Sequence, residues 1–212
     1  MSSRLQNASS TLSPLTTHDS SLPLTPHTQP VKAWVDPASL PHCHHESPIK
    51  GNAPDYVKQL NYNTFMCYGV GEEDSFGYNV GKAVKFIEVN VNRKLERQGR
   101  LEATTIAEIV VTKHMLNGAK MLHGGCVAYL IDNTPLAVLG LIQSVNGVGV
   151  TQSMNVLFHA PAPIGTCLQI TSTSISLGGR VMSSRCELVD KDTGRVVASA
   201  YLNKMQPTMS KL

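Results

Sequence analysis

The chain has 212 residues and a formal net charge of +3 at pH 7, which suits one domain with a proper core plus an extra segment. No run of Lys or Arg is long enough for a nucleic-acid groove, so no nucleic-acid partner is expected. The five cysteines (Cys43, Cys67, Cys126, Cys167 and Cys186) are odd in number and form no C-x-x-C pair, which argues against a disulfide framework or zinc ribbon and for reduced thiols inside a cell.

Residues 1–50 are dominated by Ser, Thr, Pro and His, with Asp19 the only acid before Asp36. Such a stretch has little to bury and reads as a disordered tail. It lacks the apolar core of a secretory signal, and Arg4 as its only early arginine argues against a transit peptide. His42-Cys43-His44-His45-Glu46 has a metal-binding composition without the spacing of a helix-borne site, and no metal is expected there. Residues 51–84 form a lead-in, with a short amphipathic helix from Pro54 to Met66 and then breaks at Gly69, Gly71, Gly77 and Gly81.

The pattern changes at Lys85. Phe86–Val91 and Arg100–Val111 read as strands rich in β-branched residues. Asn117-Gly118 marks a turn before a long apolar run from Gly124 to about Leu141, too long for a strand and therefore a central helix. Asp132, Asn133 and Pro135 inside that run favour a buried helix over a membrane span. Four strand-like runs follow: Val148–Phe158, Cys167–Ser176, Arg180–Val189 and Arg195–Lys204. Short Gly-containing connections make the last three antiparallel neighbours. Two strands, one helix and four strands define an α+β domain over 85–206, with 207–212 as an exposed tail. An uncovered sheet edge invites a second subunit.

The chemistry concentrates between Asn117 and Asp132. A turn delivers Gly124 and Gly125 to the first turn of the helix, whose N–H groups lack internal partners and lie at its positive end. Glycines let a ligand approach closely, which makes a potential oxyanion site able to polarise a thioester carbonyl. Asp132 is a carboxylate in an apolar helix, and burying one is costly. It lies about 12 Å along the axis from Gly124, too far for both to act on one small group. If both are catalytic, the carboxylate comes from a partner subunit.

Asn117-x5-His123-Gly124-Gly125-x6-Asp132, followed by Thr151 and Met154-Asn155, resembles the hotdog thioesterases of the phenylacetate-pathway and thioesterase-superfamily type. The resemblance runs from about Phe86 to Met205. It implies a hotdog fold, an antiparallel sheet around one long helix, that hydrolyses acyl-CoA thioesters. It also implies that Gly124 N–H polarises the carbonyl and that Asp132 of the opposing subunit acts as nucleophile or activates water. Asn117 would position water or thioester, His123 would orient the loop, and Thr151 would assist the carboxylate. A homodimer or tetramer is implied, with CoA across the subunit boundary as part of the substrate and no separate cofactor. Three features depart from the family pattern: Pro135 in mid-helix, which should kink it, Thr151 in place of the commoner serine, and a segment before Lys85 longer than a minimal hotdog domain needs.

Bland alternatives accompany each residue. Asp132-Asn133 reads also as a structural hydrogen-bonded pair, and Cys126, a candidate nucleophile at a helix N-terminus, as an inert thiol. Arg180 could equally bind CoA phosphates or be a solvated hairpin arginine. Two other functions stay open: a hotdog hydratase or dehydratase, and a non-catalytic acyl-CoA-binding protein. Ser210-Lys211-Leu212 reads as a peroxisomal address recognised by the import receptor, consistent with acyl-CoA chemistry in lipid metabolism.

Overall fold

The structure, a computed structural model, describes residues 37–94, 100–133, 149–178 and 181–205. Pro135, Arg180, Ser210-Lys211-Leu212 and most of the expected N-terminal tail lie outside these described residues.

Six antiparallel strands form one sheet in the order β1-β2-β4-β5-β6-β3. They are β1 (Lys85–Lys94), β2 (Arg100–Val110), β3 (Val150–Phe158), β4 (Cys167–Leu177), β5 (Val181–Asp190) and β6 (Val196–Met205). The alternation expected of half-buried strands is plain on β2, where Ala103, Thr105, Ala107 and Ile109 are buried and their neighbours less so. The same row continues on β5 through Met182, Ser184, Cys186 and Leu188 and on β6 through Ala198, Ala200 and Leu202. Across this face lies α3, described over Gly124–Asn133, which packs on β3, β4 and β6. Val127, Leu130 and Ile131 are its buried residues, spaced as one helical face requires. No helix among the described residues is long and apolar enough to cross a membrane.

The lead-in is α1 (Asp55–Thr64), a π-helical stretch (Phe65–Val70) and the short α2 (Tyr78–Gly81). The expected helix from Pro54 to Met66 thus runs on in a wider coil to Val70, where Gly71 at φ 70° ends it. The expected tail extends too far, because the chain engages the domain before residue 50. Cys43 N–H donates to Asn63 Oδ1 at 3.0 Å, Ile49 is buried, and Lys50 pairs in parallel with Glu88 of β1. A local excess of Ser, Pro and His obscured these anchors.

One irregularity of the ladder matters for the site. Thr151 pairs with Lys204, but the next β6 residue, Asn203, pairs with Ser153, so Gln152 is an extra residue in β3. Beyond this bulge Met154, Val156 and Phe158 stand opposite the core-facing Leu202, Ala200 and Ala198. The bulge shifts the phase of β3, and Thr151 thereby joins the face covered by α3.

Candidate active site

The helix start is assembled by the turn before it. Asn117 Oδ1 accepts N–H bonds from Ala119 at 2.9 Å and Met121 at 3.2 Å, and Lys120 takes a left-handed φ of 64°. This Asx-type turn folds the chain back so that His123 N–H reaches Met115 O at 2.7 Å. His123 is the N-cap of α3. Its Nδ1 accepts the Gly125 N–H at 2.8 Å, so in the neutral ring the proton sits on Nε2. Its carbonyl accepts the N–H groups of Cys126 at 2.9 Å and Val127 at 3.1 Å.

Of the first four helical N–H groups, three are therefore consumed. The fourth, on Gly124, has no acceptor among the described residues, and it lies at the positive end of the helix. A Cβ on Gly124 would meet the Phe158 ring at 3.3 Å, so the donor is flanked by an aromatic wall from β3. An unpaired N–H with an open approach is what a developing oxyanion requires.

Two turns on, Asp132 is 38% exposed at its side chain. Thr151 hydroxyl donates to Asp132 Oδ1. Lys204 Nζ stands 3.6 Å from the same oxygen and donates to the Asp132 main-chain carbonyl at 2.9 Å. Oδ2 accepts no hydrogen bond among the described residues, so one carboxylate oxygen is held and the other is available.

The structure brings Asp132 and Thr151 together, and His123 with Gly124 and Gly125. It leaves the two groups at different ends of the described helix. Asn117 stands apart from the carboxylate, its oxygen committed to its own turn, while its amide N–H groups have no acceptor among the described residues. Cys126 does not present a thiolate: burial pushes its thiol up to about 11. The His42–Glu46 tract forms local contacts, with His45 Nδ1 2.8 Å from Ser47 O and its ring edge-on to Tyr62. Among the described residues no three His, Cys, Asp or Glu side chains converge on a metal position.

Two features were missed from the sequence. Lys204 is one; the alternation Ala198, Ala200, Leu202, Lys204 puts a lysine in core phase, a signal that was available. The lead-in is the other, because it walls the site. A cavity of about 580 Å³ beside Asp132 is lined by Gly69, Val70, Phe76, Gly125, Tyr129 and Met154. A second, of about 450 Å³, shares Phe76, Gly125 and Tyr129 and reaches His123 and Cys126. Tyr129 ties the wall to the helix. Its hydroxyl donates to Gly69 O, its ring meets Phe76 edge-on, and burial, then Cys126, pushes it up to about 12. Gly77, at φ 80°, is required there, since a Cβ would sit 2.4 Å from the Tyr129 ring.

The fold has clear counterparts. The structure of zebrafish thioesterase superfamily member 2 aligns with a TM-score of 0.57 at 19% identity, over 71% of this chain and 98% of that one. That of PaaI from the E. coli phenylacetic acid degradation operon aligns with a TM-score of 0.51 at 19% identity, over 72% and 100%. An antiparallel sheet packed across one helix, with a glycine-rich helix start, defines the class: a hotdog fold. In sequence, residues 119–197 match the family described as Thioesterase superfamily. Human acyl-coenzyme A thioesterase 13 is 31% identical over 100 residues, which cover 47% of this chain and 70% of that protein. The chain belongs to the thioesterase superfamily and is a thioesterase of hotdog type.

Proposed function

We propose that the protein hydrolyses acyl-CoA thioesters to free acid and CoA. The observation that carries this reading is the free Gly124 N–H at the helix start, joined to a carboxylate on the same helix with one oxygen braced and the other open. The similarity to acyl-coenzyme A thioesterase 13 supports CoA as the thiol.

The thioester oxygen points at Gly124 N–H, which strengthens its bond as negative charge develops. Asp132 Oδ2 either removes a proton from water as the water oxygen bonds to the carbonyl carbon, or attacks that carbon itself. In the first case the C–S bond then breaks, the electron pair leaves on sulfur, and the Asp132 proton returns to the thiolate. In the second the C–S bond breaks as an Asp132–acyl anhydride forms, and the pair again leaves on sulfur. Water then cleaves the anhydride to free acid and carboxylate while one of its protons goes to the thiolate. Thr151 and the His123 cap maintain the two groups, and Asn117 shapes the loop.

Gly124 and Asp132 on one helix stand about 12 Å apart along its axis. We therefore assign each site to two copies of the chain, with Gly124 from one and Asp132 from the other. Supporting this, β3 is an edge strand with Val150, Leu157 and Phe158 exposed, the last two at 56% and 60%. Apolar side chains on an unpaired edge suit a second sheet.

The test is free CoA release, read by chromatography, from short, medium, long and aromatic acyl-CoA esters, with wild type and Asp132→Asn side by side. Turnover in the wild type that falls by about 10²–10⁴ in the variant is expected. Binding without turnover across the panel would overturn hydrolysis in favour of an acyl-CoA-binding protein, and hydration products would point to a hydratase.

A further inference from the structure

Lys204 occupies a position that the rest of its strand gives to apolar side chains. It follows Ala198, Ala200 and Leu202 on the core-facing row of β6, with Thr151 as its direct neighbour on β3 and Met182 on β5. Its side chain is only 18% exposed. Taking an ammonium out of water is costly, and an apolar side chain of similar volume at such a place is often neutral or stabilising. Stability therefore does not explain the lysine.

Its contacts do. Nζ donates to the main-chain carbonyl of Asp132 at 2.9 Å and stands 3.6 Å from Oδ1 of the same residue. One cation thus holds both the backbone and the carboxylate of a single residue, and Thr151 donates to the same Oδ1. We propose that Lys204 is the positioning residue for Asp132, fixing the helix carbonyl and Oδ1 together so that Oδ2 is presented to the substrate. The assignment rests on the reading above that Asp132 drives hydrolysis. A misaimed carboxylate loses rate without losing substrate affinity, because aim is needed only when the new bond forms.

Among the described residues, Asp132 is the titratable group that faces this ammonium, while β3 and β5 present Thr151 and Met182. Burial pulls the Lys204 pKa below the ordinary lysine value and Asp132 opposes that pull. The positioning contact accordingly weakens at a lower pH than that at which an exposed lysine would lose its proton.

Lys204→Met and Lys204→Arg, each in the full chain, test this. For Lys204→Met the expectation is kcat lower by about 10–100-fold, KM within about twofold, and a Tm unchanged or raised. Lys204→Arg, which keeps its charge to high pH, should recover part of kcat and move the alkaline fall in activity upward. Wild-type kcat in Lys204→Met would overturn the proposal while leaving Asp132 as the driving carboxylate. A Lys204→Met whose kcat and Tm fall together, with no recovery in Lys204→Arg, would also overturn it, showing a structural role. A readout without turnover separates the two readings. NMR titration of the Lys204 side chain should place it below ordinary lysine, and lower still in Asp132→Asn; no response to Asp132→Asn would sink the contact itself.

Discussion

On the proposed mechanism Gly124 and Asp132 divide the chemistry, and single substitutions should remove each while keeping the fold. Proline is tolerated at the first position of a helix, where Gly124 stands, and it has no N–H. Gly124→Pro should leave Tm within a few degrees and lower kcat by about 10²–10³, the usual cost of one oxyanion donor. Thr151→Val removes the hydroxyl that braces Oδ1, whereas Thr151→Ser keeps it. The valine variant should lose activity and the serine variant should retain most of it, by the same CoA-release assay. Cys126 offers the contrast. With its thiol pushed up to about 11 it is no nucleophile near neutrality, and Cys126→Ala should leave kcat within about threefold. Loss of turnover in that variant would overturn the carboxylate mechanism.

At the scale of elements, the N-cap, the bulged strand and the lead-in aim the groups. His123→Ala removes the acceptor for Gly125 N–H and should cost about 1 kcal/mol of stability, read by chemical denaturation. The pH dependence of stability follows from Lys204. Its folded pKa lies below the value it has unfolded, so between the two the unfolded chain binds the extra proton and stability rises with pH. Lys204→Met should flatten that rise. These elements also show what could be read beforehand. Runs rich in β-branched residues, set off by turn and Gly-containing breaks, located all six strands, and the glycine pair and apolar run located the helix start. The bulge at Gln152 was not legible, because pairing register depends on the partner strand; without it Thr151 would face away from Asp132. Lys204 was legible only as a lysine in core phase, its purpose visible once β6 lay beneath the helix. The lead-in carried no motif, since its part in the site is the shape of a wall: Phe76 against Tyr129, and Gly69 beneath the Tyr129 hydroxyl.

For the whole molecule, the sheet places β3 at its margin and lays the helix across it, and on the proposed reading one chain carries only half of each site. Gly124 and Asp132 both lie on α3 and Thr151 on β3, and the distance between the glycine donor and the carboxylate is fixed by the helix and cannot be closed within it. Of the cavities on the lead-in side of α3, one is lined by Asp132 and the other by His123 and Gly125, and on the proposed reading either gives the acyl portion room. Tyr129→Phe, which frees Gly69 O, should loosen the wall between them and shift the preferred acyl length more than the rate with the best substrate.

Co-expression of Gly124→Pro and Asp132→Asn chains, each inactive alone, tests shared sites most directly. A mixed dimer would carry one site with both groups intact and one with neither. Free mixing should then restore roughly a quarter of wild-type CoA release, and only in the fraction containing both chains. No recovery in purified mixed assemblies would place both groups' work within single chains and contradict the account.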